Sequence, residues 1–131
     1  MARATTTLLI VAVAMMGSIG DAAAQSASLD GSWSGAGKVT LPSGAVEAAR
    51  CRVSYSRDSK TSYSASASCA TPSVRVNQTA SLRQTGTNTF SGSFYNDEYG
   101  VSGSIRVVVS GSSQSVSLNG GGASASLRLS R

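Results

Sequence analysis

Serine holds nearly every second position through long stretches of this chain, with small or apolar residues between. Ser62-Tyr63-Ser64-Ala65-Ser66-Ala67-Ser68-Cys69 shows the pattern, as do Ser91-Gly92-Ser93-Phe94 and Ala123-Ser124-Ala125-Ser126-Leu127. Successive side chains of a strand point to opposite faces, so a period of two writes one wet face and one dry face. No window carries a helical period. The pattern predicts an all-β protein.

Turn residues divide the chain into eight predicted strands, at 32–41, 46–57, 62–70, 74–84, 89–95, 99–110, 114–118 and 123–129. Pro42-Ser43-Gly44, Asp58-Ser59-Lys60-Thr61, Pro72, Gly86-Thr87-Asn88, Asn96-Asp97-Glu98 and Asn119-Gly120-Gly121-Gly122 stand between them. Every link suits a hairpin and none has room for a crossover helix. Eight sequential antiparallel strands remove their exposed edges most simply by closing into a small up-and-down barrel.

Phase then assigns an interior. Trp33, Gly35, Gly37, Val39 and Leu41 face inward on the first strand, Ala49, Cys51, Val53 and Tyr55 on the second, and Tyr63, Ala65, Ala67 and Cys69 on the third. Val76, Ala80 and Leu82 follow, then Phe90, Gly92 and Phe94, then Val101, Ile105, Val107 and Val109. Val116, Leu118, Ala123, Ala125, Leu127 and Leu129 complete the set. The many Gly and Ala predict a narrow, tightly filled barrel. The outward positions read as Ser, Thr, Arg and Gln, the reverse of a membrane barrel with its apolar exterior and aromatic girdles.

Composition adds a compartment. Met1-Ala2-Arg3, the apolar run 8–16 and Ala22-Ala23-Ala24 have the three-part layout of a secretory signal peptide, predicted to be cleaved after Ala24. The apolar run is too short to span a bilayer, so no integral membrane segment is expected after cleavage. Residues 25–131 then form a single barrel domain, periplasmic or secreted. The leader takes Arg3 and Asp21 with it, so the chain's eleven Lys/Arg and six Asp/Glu become ten and five, and the net charge stays at +5. That balance favours acidic partners such as envelope polysaccharide or an acidic protein surface. Nucleic acid is not expected, because the Arg are scattered without an aromatic stacking platform.

Cys51 and Cys69 stand about equally far from the 58–61 turn. Export places them in an oxidising compartment, and the hairpin would face them across adjacent strands, so a disulfide is predicted. A metal or redox thiol pair fits poorly: the spacing is not CxxC and the chain has no His.

Gly31-Ser32-Trp33 opens the first strand, and Leu127-Arg128-Leu129-Ser130-Arg131 ends the last. In a closed even-stranded meander these segments adjoin, so a terminal cation can stack over the indole. This layout resembles the calycin superfamily of lipocalins, fatty-acid-binding proteins and avidins, where a Gly-x-Trp meets an arginine near the barrel's end. The resemblance carries over Gly31 and Trp33, with Arg131 or Arg128 as the arginine, and it implies a barrel-end signature rather than a ligand. The chain is nearer avidin than lipocalin in length. It is also similar to the small disulfide-bearing barrels that bacteria export as inhibitors of secreted metalloproteases, without a diagnostic inhibitor segment.

Two groups are candidates for recognition. The hairpin tip 94–100 gathers Tyr95, Asp97, Glu98 and Tyr99, with Tyr95 and Tyr99 read as a cross-strand pair. Rigid aromatics there would give contact area at low entropic cost. Asp97 and Glu98 are neighbours on a turn, which does not hold a desolvated acid–base pair. Arg50 and Arg52 flank Cys51 on the outward phase, where further Arg could join them in a cationic face.

Catalysis is excluded by inventory: without His no Ser-His-Asp or Cys-His site can be built, and no catalytic, metal or cofactor pattern is present. The chain therefore reads as a non-catalytic exported binding module that engages a protein partner through its loops, inhibition of a hydrolase being one version. The alternative is an envelope-associated structural protein adhering to anionic polysaccharide. A carrier of small ligands is disfavoured, because too few polar groups fall on the inward phase to orient one.

Overall fold

A computed structural model of the chain describes residues 28–131. The predicted leader, 1–24, lies outside the described residues. Eight strands follow one another: β1 Gly31–Thr40, β2 Val46–Arg57, β3 Ser62–Ala70, β4 Arg75–Gln84, β5 Thr89–Asn96, β6 Val101–Ser110, β7 Ser113–Gly120 and β8 Ala123–Ser130. Each pairs antiparallel with the next, and β8 pairs with β1 to close the barrel. Closure satisfies the ladder hydrogen bonds that edge strands would leave open.

Differences from the sequence reading lie at turns. Asn96 completes β5, and β6 begins at Val101 rather than at Tyr99. Asn119 and Gly120 stay in β7, leaving Gly121-Gly122 as a two-residue turn with φ of 61° and 76°. Only glycine takes two successive positive φ values freely, and this turn shape matches the right-handed twist of the strands it joins.

The interior tapers. At one end, called the base, Trp33, Tyr55, Tyr63, Leu82, Phe90, Val107 and Leu129 are all buried. Tyr63 and Phe90 meet edge to face, with ring centroids 5.4 Å apart and planes at 88°. Each large side chain so buried contributes about 1.5–3 kcal/mol. At the other end several inward positions are small: Ala49, Gly103, Gly120, Ala123 and Ala125. One end is therefore filled and the other is not.

Inward glycines let the strands bend tightly against their neighbours. A Cβ on Gly37 would overlap the Ser126 carbonyl oxygen of β8, and one on Gly92 would overlap that of Ser81 on β4. These are the corners at which the sheet folds over to close.

Cys51 and Cys69 are direct partners in the β2–β3 ladder and form a disulfide, with Cα atoms 4.1 Å apart. Read through hydrophobicity, the alternation predicts glutamine on the outer face. Instead Gln78, Gln84 and Gln114 all fall on the inward phase, where side chains are partly or fully buried. The described residues contain no helix, so none is long and apolar enough to cross a membrane.

Candidate functional site: the open end of the barrel

The base is sealed by its own sequence. Leu29, just before β1, is fully buried, and its carbonyl accepts a hydrogen bond from Trp33 Nε1 at 2.9 Å. The Arg131 guanidinium carbon lies 4.3 Å from the Trp33 ring centroid. Arg131 also donates to the carbonyls of Asp30 (2.6 Å) and Ser28 (3.1 Å), pinning the N-terminal segment across the opening. Gly31 adjoins this plug, its φ of 109° allowing the sharp entry into β1. Arg128 is not part of the plug. It sits on the outward phase of β8, exposed and opposite Ala36 and Ser115, so of the two arginines only Arg131 covers the indole.

Polar groups finish the seal. Tyr55 donates its hydroxyl proton to Gln114 Oε1 at 2.7 Å, and burial pushes the Tyr55 phenol well above the usual tyrosine range. Arg57 donates to the Tyr63 hydroxyl from Nε and Nη2, at 3.1 and 2.7 Å. That hydrogen bond raises the Arg57 pKa further, keeping the guanidinium charged.

The opposite end is open. The turns at 41–45, 71–74, 97–100 and 121–122 surround a cavity of about 400 Å³. Its walls are largely apolar: Val39, Leu41, Val74, Val76, Phe94, Val101 and Leu118, with Ala123 and Ala125 leaving room beside them. Deeper in, a void of about 30 Å³ continues between Val53, Ala67, Ile105 and Val116 and shares Gln78, Phe94 and Leu118 with the mouth. Gln78 Oε1 is buried here with no hydrogen-bond partner among the described residues. An unpaired buried acceptor costs about 1–3 kcal/mol, which a donor on an incoming molecule would recover. The expected tightly filled interior is thus filled only toward the base: inward residues shrink toward the mouth on β2 (Tyr55, Val53, Cys51, Ala49) and β8 (Leu129, Leu127, Ala125, Ala123), and small residues there leave room beside Val39, Phe94 and Leu118.

The predicted recognition residues fall in three places. Phe94 and Tyr99 line the mouth, and Tyr99 stands on its rim, 55 % exposed. Asn96 Oδ1 accepts from the Tyr99 backbone N–H at 3.2 Å and shapes that rim. Tyr95 faces outward opposite Thr79 and Ser102, so the expected Tyr95–Tyr99 cross-strand pair does not form; Tyr99 belongs to the turn instead. Asp97 is exposed at the tip, and Glu98 Oε1 accepts from Asn77 Nδ2 at 3.4 Å. Arg50 and Arg52 are exposed on the outer wall, away from the mouth. Among the described residues no cluster of His, Cys, Asp or Glu could hold a metal ion.

Gln78 and Leu29 escaped the sequence reading. With Val76 and Ala80 inward, Gln78 must be inward too, so strict phase arithmetic reveals it despite its polarity. Leu29 precedes the alternation and carries no such signal.

No family model and no curated protein matches the chain. Among solved structures it is similar to a redesigned β-barrel, mFAP1, bound to DFHBI: TM-score 0.67 at 10 % identity, covering 79 % of this chain and 94 % of that one. A second redesigned barrel, b11L5F_LGL, gives 0.64 at 11 % identity, covering 79 % and 90 %. A fluorescence-activating β-barrel designed de novo gives 0.61 at 15 % identity, covering 79 % and 93 %. At such identities the likeness concerns architecture alone, that of a closed β-barrel, which in this chain is eight-stranded and up-and-down.

Proposed function

We propose that this protein is an exported, non-catalytic binding module that takes a small, mainly apolar molecule into the open end of its barrel. The single observation that carries the reading is the contrast between the two ends. Trp33, Leu29 and Arg131 seal the base, while the mouth keeps a largely apolar cavity of about 400 Å³. Ligand sites are commonly of this size, and the mouths of barrels are a usual place for them. The mFAP1 barrel, similar in fold, is described with a small molecule bound.

Chemistry narrows the ligand. The walls favour an apolar body, and the unpaired Gln78 Oε1 at the cavity floor favours one donor, an O–H or N–H, at its inner end. Tyr99 on the rim would close over the outer end. The small-carrier reading, disfavoured from sequence, is the better one: Gln78 supplies the inward polar group that the strand pattern concealed. The 94–100 tip keeps a role as part of the mouth, through Phe94 and Tyr99, rather than as a separate protein-binding loop.

Native mass spectrometry of protein purified from its own cells tests this reading. A reproducible mass increment that vanishes on denaturation supports it. Protein that is mass-clean, and that also takes up none of a panel of apolar phenols and anilines, contradicts it.

A further inference from the structure

The outer wall carries a second feature, independent of the mouth. On the outward phase of the eight strands stand seven cations: Lys38, Arg50, Arg52, Arg75, Arg83, Arg106 and Arg128. No carboxylate shares that phase. Asp30, Asp58, Asp97 and Glu98 lie outside the strands, and Glu47 is on the inward phase beside Val39. None of the seven cations has an ion pair or a side-chain hydrogen bond among the described residues.

The ladders order these charges. Arg75 stands opposite Ala70, Ala70 opposite Arg50, Arg50 opposite Ala36, and Ala36 opposite Arg128. This is one continuous rank across five strands, with guanidiniums on alternate strands and alanine between. Two strand spacings separate successive arginines, roughly 10 Å. Arg52 flanks the rank with Ser34 and Ser68 opposite it. Because the intervening side chains are so small, Arg50, Arg52 and Arg75 wall an open groove of about 740 Å³ on β1–β4, and Arg128 continues the rank beyond it on β8.

We infer that this rank is a binding track for an anionic polysaccharide, laid across the strands and around the barrel. Spaced guanidiniums fit carboxylate or sulfate groups recurring along a chain, each through its planar donor fork. The Ser34 and Ser68 hydroxyls beside Arg52 can pair with sugar hydroxyls. Nucleic acid fits less well, because Tyr95 is the one outward aromatic on the eight strands and bases would find no stacking platform. A lipid surface is flat, whereas the rank curves around the wall.

Retention on immobilised heparin and polygalacturonate, with neutral dextran as blank, tests the track using two triple variants of equal charge. One combines Arg50→Ser, Arg75→Ser and Arg128→Ser; the other combines Lys38→Ser, Arg83→Ser and Arg106→Ser. All six positions face outward, and near-ultraviolet circular dichroism from buried Trp33 checks that both variants keep the fold. Wild type should bind both polyanions at low ionic strength, with affinity falling steeply as salt rises. The first variant should lose roughly tenfold or more, and the second clearly less. Equal losses would reduce the effect to net charge and overturn the track. Absence of wild-type retention would overturn it too, as would tighter binding to single-stranded DNA or phosphatidylglycerol vesicles than to either polysaccharide.

Discussion

Arg131 holds its guanidinium 4.3 Å from the centre of the Trp33 ring, and the same group donates to the Asp30 and Ser28 carbonyls. One side chain thus joins the end of β8 to the start of β1 and covers the base. A cation over an indole contributes about 0.5–2 kcal/mol. Arg131→Ala should lower stability by about 1–2 kcal/mol, read by urea denaturation, while Arg128→Ala should change it by less than about 0.5 kcal/mol. Arg131→Lys should recover only part of the loss, because an ammonium cannot stack and reach both carbonyls as a planar fork does.

The disulfide makes the next prediction. Cys51 and Cys69 are 18 residues apart in sequence and face each other in register. Closing a loop of that length stabilises the fold by about 3 kcal/mol in the chain-entropy model. The double variant Cys51→Ala, Cys69→Ala should lose about that much in urea and still form the barrel, because the ladders on either side do not depend on sulfur. A fully unfolded double variant would show that the bond does more than shorten the unfolded chain.

Glycine corners should be intolerant in a different way. Gly37→Ala or Gly92→Ala would drive a methyl into the carbonyl of the adjoining strand, where only backbone could yield. Each should cost about 2–4 kcal/mol, far more than Ala36→Gly on the outward face of the same strand. Thermal unfolding of the three variants side by side checks this.

Alkaline pH should expose the Tyr55–Gln114 pair. Burial holds the Tyr55 phenol above its unfolded value of about 10, so above that pH the unfolded chain releases a proton that the folded one keeps. The contribution is fully present below pH about 10 and declines as pH rises from there, by up to about 1.4 kcal/mol per pH unit. Tyr55→Phe should flatten that slope. It should also lower stability at neutral pH by about 1–2 kcal/mol, since Gln114 Oε1 loses its donor.

Much of this fold was legible because alternation fixes phase, and phase fixes the interior. The pairing of Cys51 with Cys69 and the inward direction of Trp33, Tyr63 and Phe90 all follow from a period of two. What escaped was polarity inside the pattern. Gln78 and Gln114 share the phase of their apolar neighbours, yet alternation read through hydrophobicity alone marks them as gaps. The plug was only half legible. Trp33 and a terminal arginine announced it, but choosing Arg131 over Arg128 needs the outward phase of Arg128, and Leu29 lies before the first strand. The cavity depends on small mouth-end residues of neighbouring strands, Gly120 on β7 with Ala123 and Ala125 on β8, meeting around one space. No single strand displays that space, so it emerges only when the register is known.

The most direct test of the open-end site is a titration with an environment-sensitive apolar fluorophore that bears a phenolic hydroxyl, comparing wild type with Ala125→Leu and Gln78→Leu. Ala125 lines the cavity opposite Val39 and Leu118, so leucine there narrows the cavity at its centre without touching the base. Wild type should bind saturably, Ala125→Leu should weaken binding by roughly tenfold or more with the fold intact, and Gln78→Leu should weaken it by about tenfold as the hydroxyl loses its acceptor. Binding that survives Ala125→Leu undiminished would place the ligand elsewhere and contradict the account.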